Sequence, residues 1–140
     1  VNISDAEGFG LATFESMACG TPIIVNMTGG LQEQVTDGTN WFGIGLEPAS
    51  KAVIGSQEVP YIYEDRLCKD DFVNALEKMY NYTREERRKL GLAGRQHVIE
   101  NYGREAYEKA WVDLMDGVYE NRGSWQKRQQ YQAWEMKEVA

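Results

Sequence analysis

Residues 7–33, EGFGLATFESMACGTPIIVNMTGGLQE, hold a loop, a helix, a strand and a second turn in close succession. Glu7 and Glu15 stand with seven residues between them, and the glycine-flanked aromatic Gly8-Phe9-Gly10 follows the first. From about Gly10 to Cys19, Leu11, Phe14 and Ala18 recur at helical spacing with Met17 beside them. Gly20 suits a helix C-terminal cap, and Pro22 prevents continuation. Pro22–Val25 is apolar throughout, as a parallel strand covered on both faces should be. Gly29-Gly30 then opens a short helix, about Leu31–Val35, which ends at the Asp37-Gly38 turn.

Working outward, Val1–Ser4 is a β-prone run joined to the motif by the loop Asp5–Phe9, and Trp41–Leu46 alternates large and small residues like a further strand. Strand, helix, strand, helix, strand over about 45 residues is a βαβ rhythm. It predicts an α/β fold with a parallel sheet and right-handed crossovers. Val1 has no capping or turn residue before it, so the chain is expected to be a fragment of a longer protein.

The chain has 140 residues, 42% apolar and 26% charged, enough to bury one domain's core. No apolar run approaches the roughly 20 residues of a membrane span, and no signal peptide is visible, so the expectation is a cytoplasmic protein. Cys19 and Cys68 have neither metal-ligand spacing nor a disulfide framework, and no metal site is expected. The net charge of −7 argues against nucleic acid as a partner. Residues 1–50 contain six acids and no Lys or Arg; all 15 bases lie in residues 51–140. An anion bound by the opening stretch would therefore meet backbone amides, or cations supplied from elsewhere.

Residues 47–66 break the rhythm with Pro48, Pro60 and only short apolar runs, and read as an ordered excursion beside the site. Helices follow. Asp70–Tyr82 places Phe72, Val73, Leu76 and Met79 on one face. Thr83 with Glu86 forms a capping box for a helix over about Arg84–Asn101, whose stretch Arg84–Lys89 reads as a solvated, salt-bridged surface. A third helix, Gly103 to about Asn121, carries Ala106, Ala110, Leu114 and Val118 at near-heptad spacing, with Trp111 close by. Ser124 is expected to cap a last polar helix ending near Val139. The domain reading is thus 1–121, with 47–66 inserted, and a C-terminal helical extension over 122–140.

A helix N-terminus offers unpaired N–H groups and about half a positive charge, which suits phosphate. Gly8 and Gly10 remove the Cβ atoms that would hold a ligand off those amides. Glu15 lies five residues beyond Gly10, roughly 7–8 Å along the helix at about 1.5 Å per residue. That is about the distance from a diphosphate to the ribose of the same nucleotide. A carboxylate there would accept two hydrogen bonds from vicinal hydroxyls, and Glu7 would face the other end of the ligand.

Glu7-Gly8-Phe9-Gly10-Leu11, Glu15-Ser16-Met17-Ala18-Cys19-Gly20-Thr21-Pro22-Ile23-Ile24, Gly29-Gly30 and Glu33 together resemble the signature of retaining glycosyltransferases of the GT-B fold, family 4 most of all. The Asp37-Gly38-Thr39-Asn40 turn matches as well, and residues 47–66 depart from the pattern. The resemblance implies a partial Rossmann-like parallel sheet of the GT-B C-terminal domain, followed by a helical C-terminal region. It implies hexose transfer with retention from a GDP- or UDP-linked sugar, without a cofactor or bound metal. Glu7 would sit near the anomeric carbon as the catalytic residue, through electrostatics and positioning. Gly8, Phe9, Gly10 and Leu11 would offer backbone N–H groups to the donor, and Glu15 would hold the ribose. Thr28, Gly29 and Gly30 are further donor-side candidates, although the glycine pair also reads as a simple turn. The family's arginine and lysine upstream of the glutamate pair have no counterpart here, nor has its N-terminal acceptor-binding domain. The chain alone is therefore expected to be inactive.

Outside the motif's two glutamates, the residue types carry plainer meanings. Cys19 reads as a small buried residue, His97 as a surface residue, and Trp41 and Phe42 as core. A dinucleotide-binding oxidoreductase would need a third glycine where Phe14 and Glu15 stand. The same residues also fit a sugar-nucleotide epimerase of the same fold, or a non-catalytic binding module.

Overall fold

The computed structural model of the chain describes residues 1–124. Its centre is the run Ile23-Ile24-Val25-Asn26, which forms strand β1 (Ile23–Asn26) with all four residues buried. β1 pairs in parallel with β2 (Gly43–Leu46) in the register Ile23↔Gly43 to Asn26↔Leu46. On its other side Asn2 makes a single parallel bridge to Val25, through Asn2 N–H to Ile24 O at 2.9 Å and Asn26 N–H to Asn2 O at 3.0 Å. The expected opening strand is thus reduced to one bridge. The fold is mixed α/β around a small parallel sheet.

Because side chains alternate along a strand, β1 feeds two cores. Ile23 and Val25 pack with Met17 of α1 (Leu11–Ala18), Leu31 and Val35 of α2 (Leu31–Val35), Phe42, and Val98 of α4 (Arg84–Tyr102). Ile24 and Leu46 pack on the other side with Ala75 of α3 (Lys69–Asn81), flanked by Phe72 and Met79. Each such large apolar side chain contributes about 1.5–3 kcal/mol by leaving water. The face expected for α3 needs correction: Phe72 and Met79 face in, but Val73 and Leu76 are each 39% exposed and Ala75 takes the buried place. Four-residue strands leave a 13-residue helix only a narrow surface to cover.

Residues 47–66 fold as an antiparallel hairpin, β3 (Ser50–Val53) with β4 (Tyr63–Arg66). The hairpin is fastened to the loop that precedes Glu7. Asp65 N–H donates to Asp5 O at 2.8 Å, and Arg66 pairs with Asp5 at 2.5 Å and with Glu64 at 2.7 Å. Its far end leaves Val59 and Tyr61 mostly exposed, with Tyr61 at φ +63°.

The capping box forms as the spacing predicts. Thr83 N–H and Oγ1–H reach Glu86 Oε2 at 2.7 and 2.8 Å, and Glu86 N–H reaches Thr83 Oγ1 at 3.2 Å. These bonds hold the Glu86 carboxyl below the usual range. Arg84–Lys89 is mostly exposed, but Arg87 is engaged: its Nη1 donates to the carbonyls of Met79, Tyr80 and Tyr82 at the end of α3. α4 meets the end of α1 directly. Arg95 donates to Ala18 O, and a Cβ on Gly91 would lie 2.0 Å from Gly20 O.

The chain divides into two compact units at Tyr102/Gly103. In the second, α5 (Arg104–Arg122) carries the ion pairs Arg104–Glu108 at 2.6 Å and Lys109–Asp113 at 2.7 Å, and none of its residues is buried. The expected last helix lies outside the described residues.

Candidate functional site

The parallel strands end on the side where the chain leaves Asn2 for Glu7 and leaves Asn26 for Gly29-Gly30, so the two loops meet there. Gly30 N–H donates to Gly8 O at 3.0 Å. The contact is tight enough to require glycine: a Cβ on Gly29, at φ +49°, would lie 1.7 Å from Glu7 O, and one on Gly30 would lie 2.7 Å from Gly8 O. Gly29-Gly30 therefore forms the floor beneath the Glu7–Phe9 loop. Thr28, beside the pair, is buried.

Gly10 is the N-cap of α1 at φ +86°, and no side chain caps this helix. Its first N–H groups consequently have no intrahelical acceptor. The side chain of Leu11 is 67% exposed. Glu15 follows one turn later on the same exposed face, and its carboxylate has no protein partner among the described residues. Gly8 is exposed with nothing within 4 Å of a would-be Cβ.

Glu7 is partly buried. Its Oε1 accepts from Gly8 N–H at 3.1 Å and its Oε2 from Asn2 Nδ2 at 3.4 Å. The same Asn2 amide donates to Thr13 Oγ1 at 3.2 Å, and Asn2 Oδ1 accepts from Ser4 N–H and Oγ–H at 3.0 and 2.8 Å. Asn26, fully buried at the end of β1, donates to Ser4 O at 2.8 Å. Gln34 of α2, also fully buried, donates from Nε2 to the carbonyls of Phe9 and, at 3.4 Å, Gly10. Sequence reading missed Asn2, Thr13, Asn26 and Gln34. The signal was there in amides standing at otherwise apolar positions, which cost desolvation unless they have a task.

The Phe9 ring is 37% exposed and packs on Phe14 and Tyr102 at 5.4 and 5.8 Å between centroids. Burial, with a smaller contribution from Glu33, pushes the Tyr102 hydroxyl up. His97 is not at the surface as expected. It is 8% exposed, stacks on Phe42 at 4.3 Å, and has its ring nitrogens 3.0 Å from Glu33 O and from the Asn101 side-chain amide. Its position facing the first core outweighed its polar neighbours in sequence. Cys19 is exposed, not buried, because it ends α1 on the open side. Phe42 is core, but Trp41 is 51% exposed, held in an isolated bridge to Thr36 before β2 begins.

A cleft of about 390 Å³ beside β2 and α3, lined by residues such as Leu46, Asp71 and Lys78, contains none of the motif's residues. Among the described residues, no three His, Cys, Asp or Glu side chains are grouped to hold a metal ion, and no helix is long and apolar enough to cross a membrane.

A small parallel sheet, a glycine-built loop at the strand ends and an uncapped helix beginning there define a mixed α/β domain. Its family follows from comparison: residues 1–97 match the model of the glycosyl transferases group 1, and the chain belongs to that family. It is similar to a D-inositol 3-phosphate glycosyltransferase of Thermobifida fusca, at 30% identity over 116 residues, covering 82% of this chain and 20% of that protein. It is also similar to an N-acetyl-alpha-D-glucosaminyl L-malate synthase of Bacillus anthracis, at 29% identity over 85 residues, covering 61% and 22%. A D-inositol 3-phosphate glycosyltransferase of Thermomonospora curvata shares 44% identity over 52 residues, 36% of this chain and 12% of that one. The chain thus spans about a fifth of the length of the first two.

Proposed function

We propose that this chain is the donor-binding part of a retaining glycosyltransferase of GT-B type, with a Rossmann-like sheet, acting in the cytoplasm on a nucleotide diphospho-sugar. The observation that carries the reading is the relation of Glu7 and Glu15 to one uncapped helix. Glu7 stands before its N-terminus and Glu15 one turn along its exposed face, with the helix's uncapped first N–H groups between them in the chain. A diphosphate at the helix N-terminus would put a ribose at Glu15 and the sugar at Glu7. The bond from the anomeric carbon to the phosphate oxygen breaks, and the acceptor hydroxyl bonds to the same face as its proton passes to the departing phosphate. Glu7 stabilises the positive charge that develops on the sugar ring. The cations and the acceptor site come from a preceding domain of the longer protein, and neither nucleic acid nor a membrane is needed.

Calorimetric titration tests this. GDP- and UDP-sugars should bind this chain weakly or not at all, and measurably once the upstream half is present. In that longer chain Glu15→Ala should weaken nucleotide binding, and unchanged affinity would refute the ribose assignment. Glu7→Gln should mainly lower turnover; an intact rate would remove Glu7 from the anomeric centre.

A further inference from the structure

Gln34 occupies a core position of α2 between Leu31 and Val35, and is fully buried like both of them. A leucine there would avoid the cost of desolvating a carboxamide. The cost is the greater because Gln34 Oε1 has no hydrogen-bond partner among the described residues. What the carboxamide provides is a donor aimed at the loop, with Nε2 bonded to Phe9 O and, more weakly, to Gly10 O.

Three successive carbonyls of that loop are held from the protein side. Gly8 O accepts from Gly30 N–H at 3.0 Å, Phe9 O from Gln34, and Gly10 O from Phe14 N–H at 3.0 Å. In a trans peptide the N–H points opposite to the C=O, and the chain has no cis bond among the described residues. The N–H groups of Phe9, Gly10 and Leu11 are therefore turned away from those donors. Neither the Phe9 nor the Gly10 N–H donates to a backbone or side-chain acceptor among the described residues, and Leu11 begins the helix. Gly10 as a whole residue is buried, and folded proteins seldom leave a backbone N–H in such a place without an acceptor, from the protein or from a ligand. Of the three holding donors, two are backbone groups that any sequence of this fold supplies, and only the Gln34 donor depends on a side chain.

We propose that Gln34 is a positioning residue for the donor diphosphate: it holds the Phe9 carbonyl inward and so presents the Gly10 N–H, with its neighbours, to the phosphate oxygens. This rests on the reading of the loop as a nucleotide-sugar site, and adds a residue that never touches the ligand. At pH 7 the bound group is anionic, so each such N–H contributes a charge-assisted bond.

The experiment is an NMR titration of the ¹⁵N-labelled longer chain, upstream half included, with inorganic pyrophosphate, repeated with a GDP- or UDP-sugar. Expected are the largest shifts at Phe9, Gly10 and Leu11, and an affinity at least about fivefold weaker in Gln34→Met, which keeps the side-chain volume without the donor. The Gln34→Met chain should retain the wild-type spectrum away from residues 7–11. Unchanged pyrophosphate affinity in Gln34→Met, or wild-type amides that do not move, would overturn the proposal. If Gln34→Met does not fold, the wild-type chain alone decides: the Gln34 side-chain amide protons must exchange slowly and shift together with the Gly10 N–H. Exchange at the rate of a free carboxamide overturns it. If pyrophosphate moves the loop amides but no nucleotide sugar binds even with the upstream half present, the proposed function fails while Gln34 keeps its role.

Discussion

Replacing Gly29 with alanine tests the floor beneath the Glu7 loop, and two other glycines separate its causes. At Gly29 the new Cβ would meet Glu7 O at 1.7 Å, and the backbone lies at φ +49°. At Gly38 the backbone is also left-handed, φ +89°, but nothing lies within 4 Å; at Gly8 there is neither a left-handed φ nor a neighbour. A left-handed alanine costs roughly 1–2 kcal/mol. Every Gly→Ala change also returns about 0.4–1 kcal/mol by restricting the unfolded chain. Gly8→Ala should then be neutral or slightly stabilising, and Gly38→Ala destabilising by about 1 kcal/mol. Gly29→Ala adds an overlap that only a loop shift can relieve, a typical overpacking cost of about 1–3 kcal/mol, for a total near 3 kcal/mol. Urea unfolding followed by circular dichroism, with unchanged m-values, gives the three stabilities. A Gly29→Ala value within about 0.5 kcal/mol of Gly38→Ala, with Glu7–Phe9 amide resonances unmoved, would refute the close contact.

Two further outcomes are expected. Asp37 accepts from the Asn40 side chain and from the Asn40 and Thr39 N–H groups, which lowers its pKa from 3.8 to about 2. A folded-state pKa depressed in this way stabilises above about pH 4 and loses its effect as the pH falls toward 2, so the stability gap between wild type and Asp37→Ala should close over that interval in acid titrations of unfolding. His97→Phe keeps the stack on Phe42 but removes the contacts to Glu33 O and Asn101; it should lower stability by about 1–3 kcal/mol in urea unfolding, and an unchanged midpoint would show that the ring acts by packing alone.

Much of the first 46 residues was legible because each element there is bounded by residues with one conformational meaning. Gly20 and Pro22 end α1, the apolar run 23–25 makes β1, and the pair 29–30 begins α2 over the very span expected, Leu31–Val35. The hairpin of residues 47–66 was not legible, since β3 and β4 read SKAV and YEDR, neither of which alternates clearly. They are stabilised by each other and by Asp5, which are contacts that no local pattern records. At the site, the spacing of Glu7 and Glu15 was visible, whereas the support was not. Asn26 and Gln34 gain their roles only when residues 22 to 25 positions apart meet. His97 and Cys19 were misplaced for a related reason: burial follows the face a helix presents, and a lone polar or small residue does not reveal that face.

The cover over α1 comes from far along the chain. Phe9 and Phe14 rest on Tyr102, Gly20 on Gly91, and the last carbonyls of α1 on Arg95. On a ribosome adding about 5–20 residues per second, the segment bearing Glu7 and Glu15 would emerge roughly 4–16 s before the residues that close over it. Until then Phe9, Phe14 and Met17 lack that cover, so the nascent loop is a stretch for a chaperone to hold, and a chain released before α4 is made would keep the Gly29-Gly30 floor but lack the Tyr102 side of its support.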